Sequence, residues 1–128
     1  MKKELNEYLE DPAYLSGRIM ALLAAIQRAA LGDVGAGVVQ RYYAAASATP
    51  GLILGRLVKL SQTGHLPKID EGLRIWFDKQ LANVWQQLKQ APPASLTLEE
   101  QTLFAMGYYQ QKAQKYPNNN KNENKNNE

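Results

Sequence analysis

The chain of 128 residues has no cysteine and a single histidine, His65. Without cysteine it can form neither a disulfide bond nor a thiolate metal site, which fits a reducing compartment. His65 stands in a Gly-His-Leu-Pro turn and has no second histidine with which to share a metal. We interpret it as an ordinary loop residue, and the sequence predicts neither a metal site nor a cofactor.

Long apolar runs are also missing. The amino terminus is charged, and no segment approaches the roughly 18 consecutive apolar residues of a transmembrane helix. We therefore predict a soluble, cytoplasmic protein with no membrane contact. With 45% hydrophobic residues, 128 residues suffice for one domain with its own core and are too few for two.

The residues that catalysis requires are scarce. An enzyme needs paired carboxylates, a nucleophile with its base, or a metal cluster. Within residues 11–116 most acids stand at predicted helix starts, as Asp11, Asp70 and Glu100 do, where they cap amides or offset the helix dipole. The glycines around Asp33 lack the lysine of a phosphate-binding loop. We predict that the chain is not an enzyme.

Helical periodicity is abundant, because apolar residues recur at intervals of three and four through most of the sequence. We predict an all-α fold: a single compact bundle of four to five helices at 11–116, an N-terminal arm at 1–10 and a disordered asparagine-rich tail at 117–128. A loop is predicted at 33–37. The predicted helices are Pro12–Leu31, Val38–Ser47, Pro50–Gly64, Ile69–Gln90 and one that follows a capping box at Thr97 and ends before Pro117.

Arg41–Pro50 packs a helix end and a helix start into ten residues. The run Ala44–Ala48 is small enough for a close helical corner, with Thr49 as the N-cap and Pro50 as the first residue of the next helix. The pairs Tyr42-Tyr43 and Tyr108-Tyr109 could stack on unpaired bases. Packing between helices is the favoured interpretation, because both pairs have apolar neighbours.

Basic residues are concentrated in the first half of the chain. Residues 12–69 contain six basic side chains and one acid, Asp33, whereas residues 70–116 contain five of each sign. Five of the cations have no acid three or four positions away and are either solvated face residues or a stripe that binds phosphates. These candidate nucleic-acid-binding residues are Arg18, Arg28, Arg41, Arg56 and Lys59.

Four blocks follow one another along the chain, at Asp11–Arg18, Ala29–Asp33, Arg41–Pro50 and Glu99–Gln110. Together they resemble the carboxy-terminal region of the large subunit of the type I-C CRISPR Cascade complex, a region that is also produced as a separate small subunit. The resemblance implies a helical bundle without nuclease activity in an antiviral defence complex. Its implied partners are the Cascade backbone and large subunits, further copies of itself, and the R-loop of guide RNA and target DNA with its displaced single strand.

Two functions follow as hypotheses from this resemblance. In the first, the chain is a non-catalytic small subunit that stabilises the R-loop by binding the DNA backbone, on the displaced non-target strand. In the alternative, it is a structural helical spacer that bridges Cascade subunits without touching DNA.

Overall fold

A computed structural model describes residues 4–32 and 37–117. Within these ranges the chain is helical and contains no strand, which confirms the all-α prediction. The predicted tail, apart from Pro117, and the predicted loop at 33–37, apart from Gly37, lie outside the described residues. The helices are α1 Pro12–Leu31, α2 Val38–Ala48, α3 Pro50–Leu60, α4 Glu71–Leu88 and α5 Leu98–Lys112, with a π-helical turn Ser61–His65 and a 3-10 turn Leu66–Lys68 between α3 and α4.

Helix α1 is the centre of the bundle. Every residue from Ala13 to Ile26 is buried, and α1 contacts α2, α3, α4 and α5. Its start is the predicted one, because an Asp11 side-chain oxygen accepts hydrogen bonds from the N–H groups of Ala13 and Tyr14 at 2.8 and 3.2 Å. A helix buried on all sides is the element on which the others pack.

The closest crossing joins α1 to α5 at two glycines. A Cβ on Gly17 would overlap the carbonyl oxygen of Phe104, and one on Gly107 would overlap that of Tyr14. The two backbones therefore touch at this point, which only residues without a side chain permit. The sequence predicts close packing at Ala44–Ala48 and gives no prediction of this crossing.

The corner between α2 and α3 forms where it was predicted, but Thr49 does not cap α3 with its side chain. Its Oγ1 donates to the carbonyl oxygen of Ala45 at 3.0 Å, so it bonds back to the preceding helix. Pro50 is the first residue of α3, as expected. The corner is held from outside by the segment before α5, since Gly51 N–H donates to Pro93 O at 2.7 Å and Leu96 N–H to Ala48 O at 2.9 Å.

Helix α3 was predicted to reach Gly64, and its regular part ends at Leu60. The chain then widens into the π-helical turn, in which the Leu66 N–H donates to the Ser61 carbonyl five residues back. A regular helix cannot continue past Pro67, which has no amide hydrogen to donate.

Helix α4 is shorter at both ends than the predicted Ile69–Gln90. Asp70 is its N-cap and accepts a hydrogen bond from Gly72 N–H at 3.2 Å. At the other end Lys89 has a left-handed backbone with φ of 67° and terminates the helix. Helix α5 begins with the predicted capping box, in which Thr97 and Glu100 bond each other's backbone amides.

No helix in the described ranges combines the length and apolar character needed to cross a membrane.

Candidate nucleic-acid interface

Exposed cations lie on α2 and α3. Residues 37–69 contain no Asp or Glu, and the side chains of Arg41, Arg56 and Lys59 are all exposed. Arg56 and Lys59 are three positions apart and so lie on one face of α3. Leu52 and Leu60 lie on the same face and are 58% and 43% exposed. The outer face of α3 therefore presents positive charge between two exposed leucines.

Arg28 lies elsewhere, in the last turn of α1. There its positive charge interacts favourably with the negative end of the helix dipole. Its side chain is exposed and borders α5: Arg28 and Lys112 line the same cavity of about 20 Å³. Burial raises the pKa of Tyr108, and the charge of Arg28 opposes that rise. Arg28 and Lys112 therefore form a second positive region, at the carboxyl ends of α1 and α5.

Arg18 is not on either surface. Its side chain is 4% exposed, and its guanidinium donates from Nε to Gln111 Oε1 at 2.8 Å and from Nη1 to Gln87 Oε1 at 3.1 Å. Burial lowers the pKa of Arg18, while the charges of Tyr14 and Glu7 oppose the change. This position gives Arg18 a packing role between α1, α4 and α5, and the five cations do not form one continuous stripe.

Around Arg18 a polar network ties the arm to the bundle. The Tyr14 hydroxyl donates to Gln110 Oε1 at 2.6 Å and accepts from the Asn6 N–H at 2.9 Å. Gln87 Nε2 donates to the Glu7 carbonyl oxygen at 2.5 Å. These hydrogen bonds attach the arm to the bundle at Asn6 and Glu7, and a pocket of about 430 Å³ remains between the arm and α4 with Arg18 in its wall. The sequence signals no such network, because glutamines without periodic spacing look like ordinary surface residues.

The structure separates the members of each tyrosine pair. Tyr108 is 2% exposed and Tyr43 is half-buried, which confirms the packing interpretation for these two. Burial, with smaller contributions from Tyr109 and Tyr108, raises the pKa of Tyr43 to about 12. By contrast, Tyr109 is 59% exposed and Tyr42 36%. Adjacent positions on a helix point in directions about 100° apart, so one of a pair can be buried while the other is not.

His65, interpreted from the sequence as an ordinary loop residue, is buried in the π-helical turn. Its pKa is lowered by burial and then by the nearby charge of Lys68. Within residues 4–32 and 37–117, no group of three or more His, Asp or Glu side chains is arranged to hold a metal ion.

Comparison with known protein families identifies the family to which this chain belongs. The family model described as CRISPR-associated protein (Cas_Csd1) matches residues 1–116, which is nearly all of the described chain. The chain belongs to the Cas_Csd1 family. The match includes the arm, all five helices, both positive regions and the Arg18 network, so these features lie inside the Cas_Csd1 region. Among curated proteins, no match to the chain was found.

Proposed function

We propose that this chain is a non-catalytic subunit of a type I-C CRISPR RNA-guided surveillance (Cascade) complex and that it stabilises the R-loop by holding phosphates of the displaced DNA strand. The observation that carries the proposal is the exposure of Arg41, Arg56 and Lys59 in a segment without any acid. Membership of the Cas_Csd1 family supports a role in CRISPR defence. The four blocks that resemble the large subunit's carboxy-terminal region favour the small subunit.

The proposed mechanism needs no chemistry from this chain. Guide RNA supplies sequence recognition by base pairing, and exchange of one duplex for the other is nearly balanced in free energy. A few phosphate contacts to the displaced strand are therefore enough to shift the equilibrium toward the open state. In this proposal the backbone and large subunits of the complex, and other copies of this chain, hold the bundle alongside that strand.

Four of the predicted cations are retained as phosphate contacts: Arg28, Arg41, Arg56 and Lys59. Arg18 is left out because its guanidinium is buried against two glutamines. Each contact to single-stranded DNA contributes about 0.7 to the slope of log affinity against log salt, so four predict a slope of about −2.8. Fluorescence anisotropy with a labelled single strand at several salt concentrations measures it, and a slope near zero would contradict the proposal.

Paired neutral substitutions test which face binds. Replacing Arg56 and Lys59 with Gln should weaken binding and reduce the magnitude of the slope by about 1.4, since two phosphate contacts are lost. The matched control replaces Arg74 and Lys79 with Gln; it removes the same charge from α4, where acids balance bases. If both double variants weaken binding equally, only net charge matters and the assignment to α3 is wrong.

The spacer hypothesis is favoured by one observation, the exposed Leu52 and Leu60 beside the cations of α3. Exposed leucines are typical of protein interfaces when they lie together. Replacing both with Ser should impair assembly of the complex if α3 faces a protein, and should leave assembly intact if α3 faces DNA. Size-exclusion chromatography of the reconstituted complex, followed by DNA binding of the assembled fraction, distinguishes the two.

A further inference from the structure

The aromatic side chains of α2 and α5 form a continuous series from the core to the surface. The Phe104 ring is fully buried, and Tyr43 packs edge-on against it with ring centroids 5.5 Å apart. Tyr43 meets Tyr108 at 5.0 Å, and Tyr108 meets Tyr109 at 4.8 Å, each in an edge-to-face arrangement. Because each ring is oriented by the one beneath it, the outermost ring is held in place by the core.

Tyr109, the outermost ring, is 59% exposed. A rigid aromatic surface loses little conformational entropy when a ligand stacks on it, because its rotamer is already set by packing. The packing of Tyr109 on a buried partner distinguishes it from Tyr8, which is 89% exposed and belongs to the arm.

Positive charge borders the Tyr109 ring. Lys112 Nζ lies 5.9 Å from the ring centroids of both Tyr108 and Tyr109, and Arg28 lies across the small cavity that it shares with Lys112. The parts of α1 and α5 that carry these cations have no opposing charge, since residues 12–32 and 101–117 contain no Asp or Glu. A stretch with cations and no acids favours a polyanion over a neutral protein surface as the partner of the exposed tyrosine.

We infer that Tyr109, with Lys112 beside it and Arg28 on the cavity that Lys112 also lines, is a stacking site for an unpaired base of single-stranded nucleic acid, whose flanking phosphates these two cations bind. An aromatic face next to cations is the combination that single-strand-binding proteins use, and it tolerates any base because every base has a stacking face. A duplex is excluded as the ligand, because its bases are already stacked on one another. The inference rests on the proposed function and adds to it base contacts and one further phosphate contact, by Lys112, so the five cations together predict a salt slope of about −3.5.

The test compares two single strands of equal length and phosphate number, one of natural thymidine nucleotides and one of abasic nucleotides. The 128-residue chain should bind the thymidine strand more tightly, and Tyr109→Ala should weaken that binding on the order of tenfold while leaving the abasic strand unaffected. Tyr109→Phe should retain the affinity, because stacking uses the ring and not the hydroxyl. Tyr8→Ala is the matched control and should change nothing.

The salt dependence of binding distinguishes the contribution of the Tyr109 ring from that of the cations. Tyr109→Ala should leave the salt slope as it is, and Lys112→Gln should reduce its magnitude by about 0.7. Circular dichroism of each variant tests that the fold is intact, which we expect because the substituted side chains are exposed. Fluorescence provides a second measurement of stacking: the thymidine strand should quench the tyrosine fluorescence of the chain, and the abasic strand should not.

The outcomes distinguish the two proposals. Equal affinity of the parent chain for both strands, with no effect of Tyr109→Ala, overturns the stacking site and leaves phosphate binding standing. Absence of binding to either strand at low salt overturns both proposals.

Discussion

Two buried polar atoms lie one turn apart in the π-helical segment after α3. Ser61 is 1% exposed and His65 6%, and neither Ser61 Oγ nor His65 Nδ1 has a hydrogen-bond partner within the described residues. Buried polar atoms without partners lower stability, and π-helical turns of this kind often occur at functional positions. The regular part of α3 ends immediately before them, at Leu60.

We expect the stability of the folded chain to depend on pH through His65. Because burial and Lys68 lower the pKa of His65, the unfolded chain takes up a proton at a higher pH than the folded chain does. The stabilising contribution is therefore complete above the ordinary histidine pKa of about 6.5 and is lost as pH falls from there toward the folded value. We expect the loss to reach at most about 1.4 kcal/mol at pH 5.5, measured by urea unfolding at pH 7.5 and 5.5.

His65→Leu provides the comparison, because His65 is the sole histidine of the chain. The variant should lose less stability between the two pH values than the parent does. An equal loss in both proteins would assign the pH dependence to carboxylates instead.

Among the helices, the pairing of α1 with α5 depends most on residue size. Gly107→Ala would place a methyl group against the Tyr14 carbonyl, and the two helices would have to move apart. We expect the free energy of unfolding to fall by about 1–3 kcal/mol, the usual cost of overpacking. Thermal or urea unfolding measures this change.

Gly55→Ala is the matched control for that substitution. Gly55 lies in α3 with no atom within 4 Å of an added Cβ, so alanine should stabilise the helix by up to about 1 kcal/mol through its better propensity. If both variants are stabilised, the backbones of α1 and α5 do not touch in solution.

Over the whole molecule, burial is distributed unequally. The residues from Ala13 to Ile26 in α1 are buried without interruption, whereas in α2 Arg41, Ala44 and Ala45 are exposed. Regions with few buried contacts open locally, at a lower free energy than global unfolding. We therefore expect α2, which carries the exposed Arg41, to open more readily than α1.

Native-state hydrogen exchange should reveal this difference. We expect amides of α1 to exchange only through global unfolding and those of α2 to exchange through smaller openings, by mass spectrometry of peptides from each helix. Equal protection of α1 and α2 would show that the bundle opens as one unit. Addition of single-stranded DNA should slow exchange in α2 and α3 if their cations bind it.

The sequence by itself determined the helical class, the start of α1 at Asp11, the corner at Thr49 and Pro50, and the capping box at Thr97, because caps and proline act over a few neighbouring residues. It also determined the concentration of basic residues in the first half. Its errors of extent, in α3 and α4, fall at helix ends, where backbone geometry depends on packing.

Only the tertiary structure decided which of these residues are available to a ligand. Arg18 and Arg28 look alike in the sequence. In the structure Arg18 is buried and bonded to Gln111, which lies 93 positions later in the chain, whereas Arg28 is exposed. Tyr108 and Tyr109 differ in the same way, since one packs against Tyr43 and the other faces outward. The exposure of a side chain depends on contacts between segments that are distant in the chain. A local pattern of residue types does not predict those contacts.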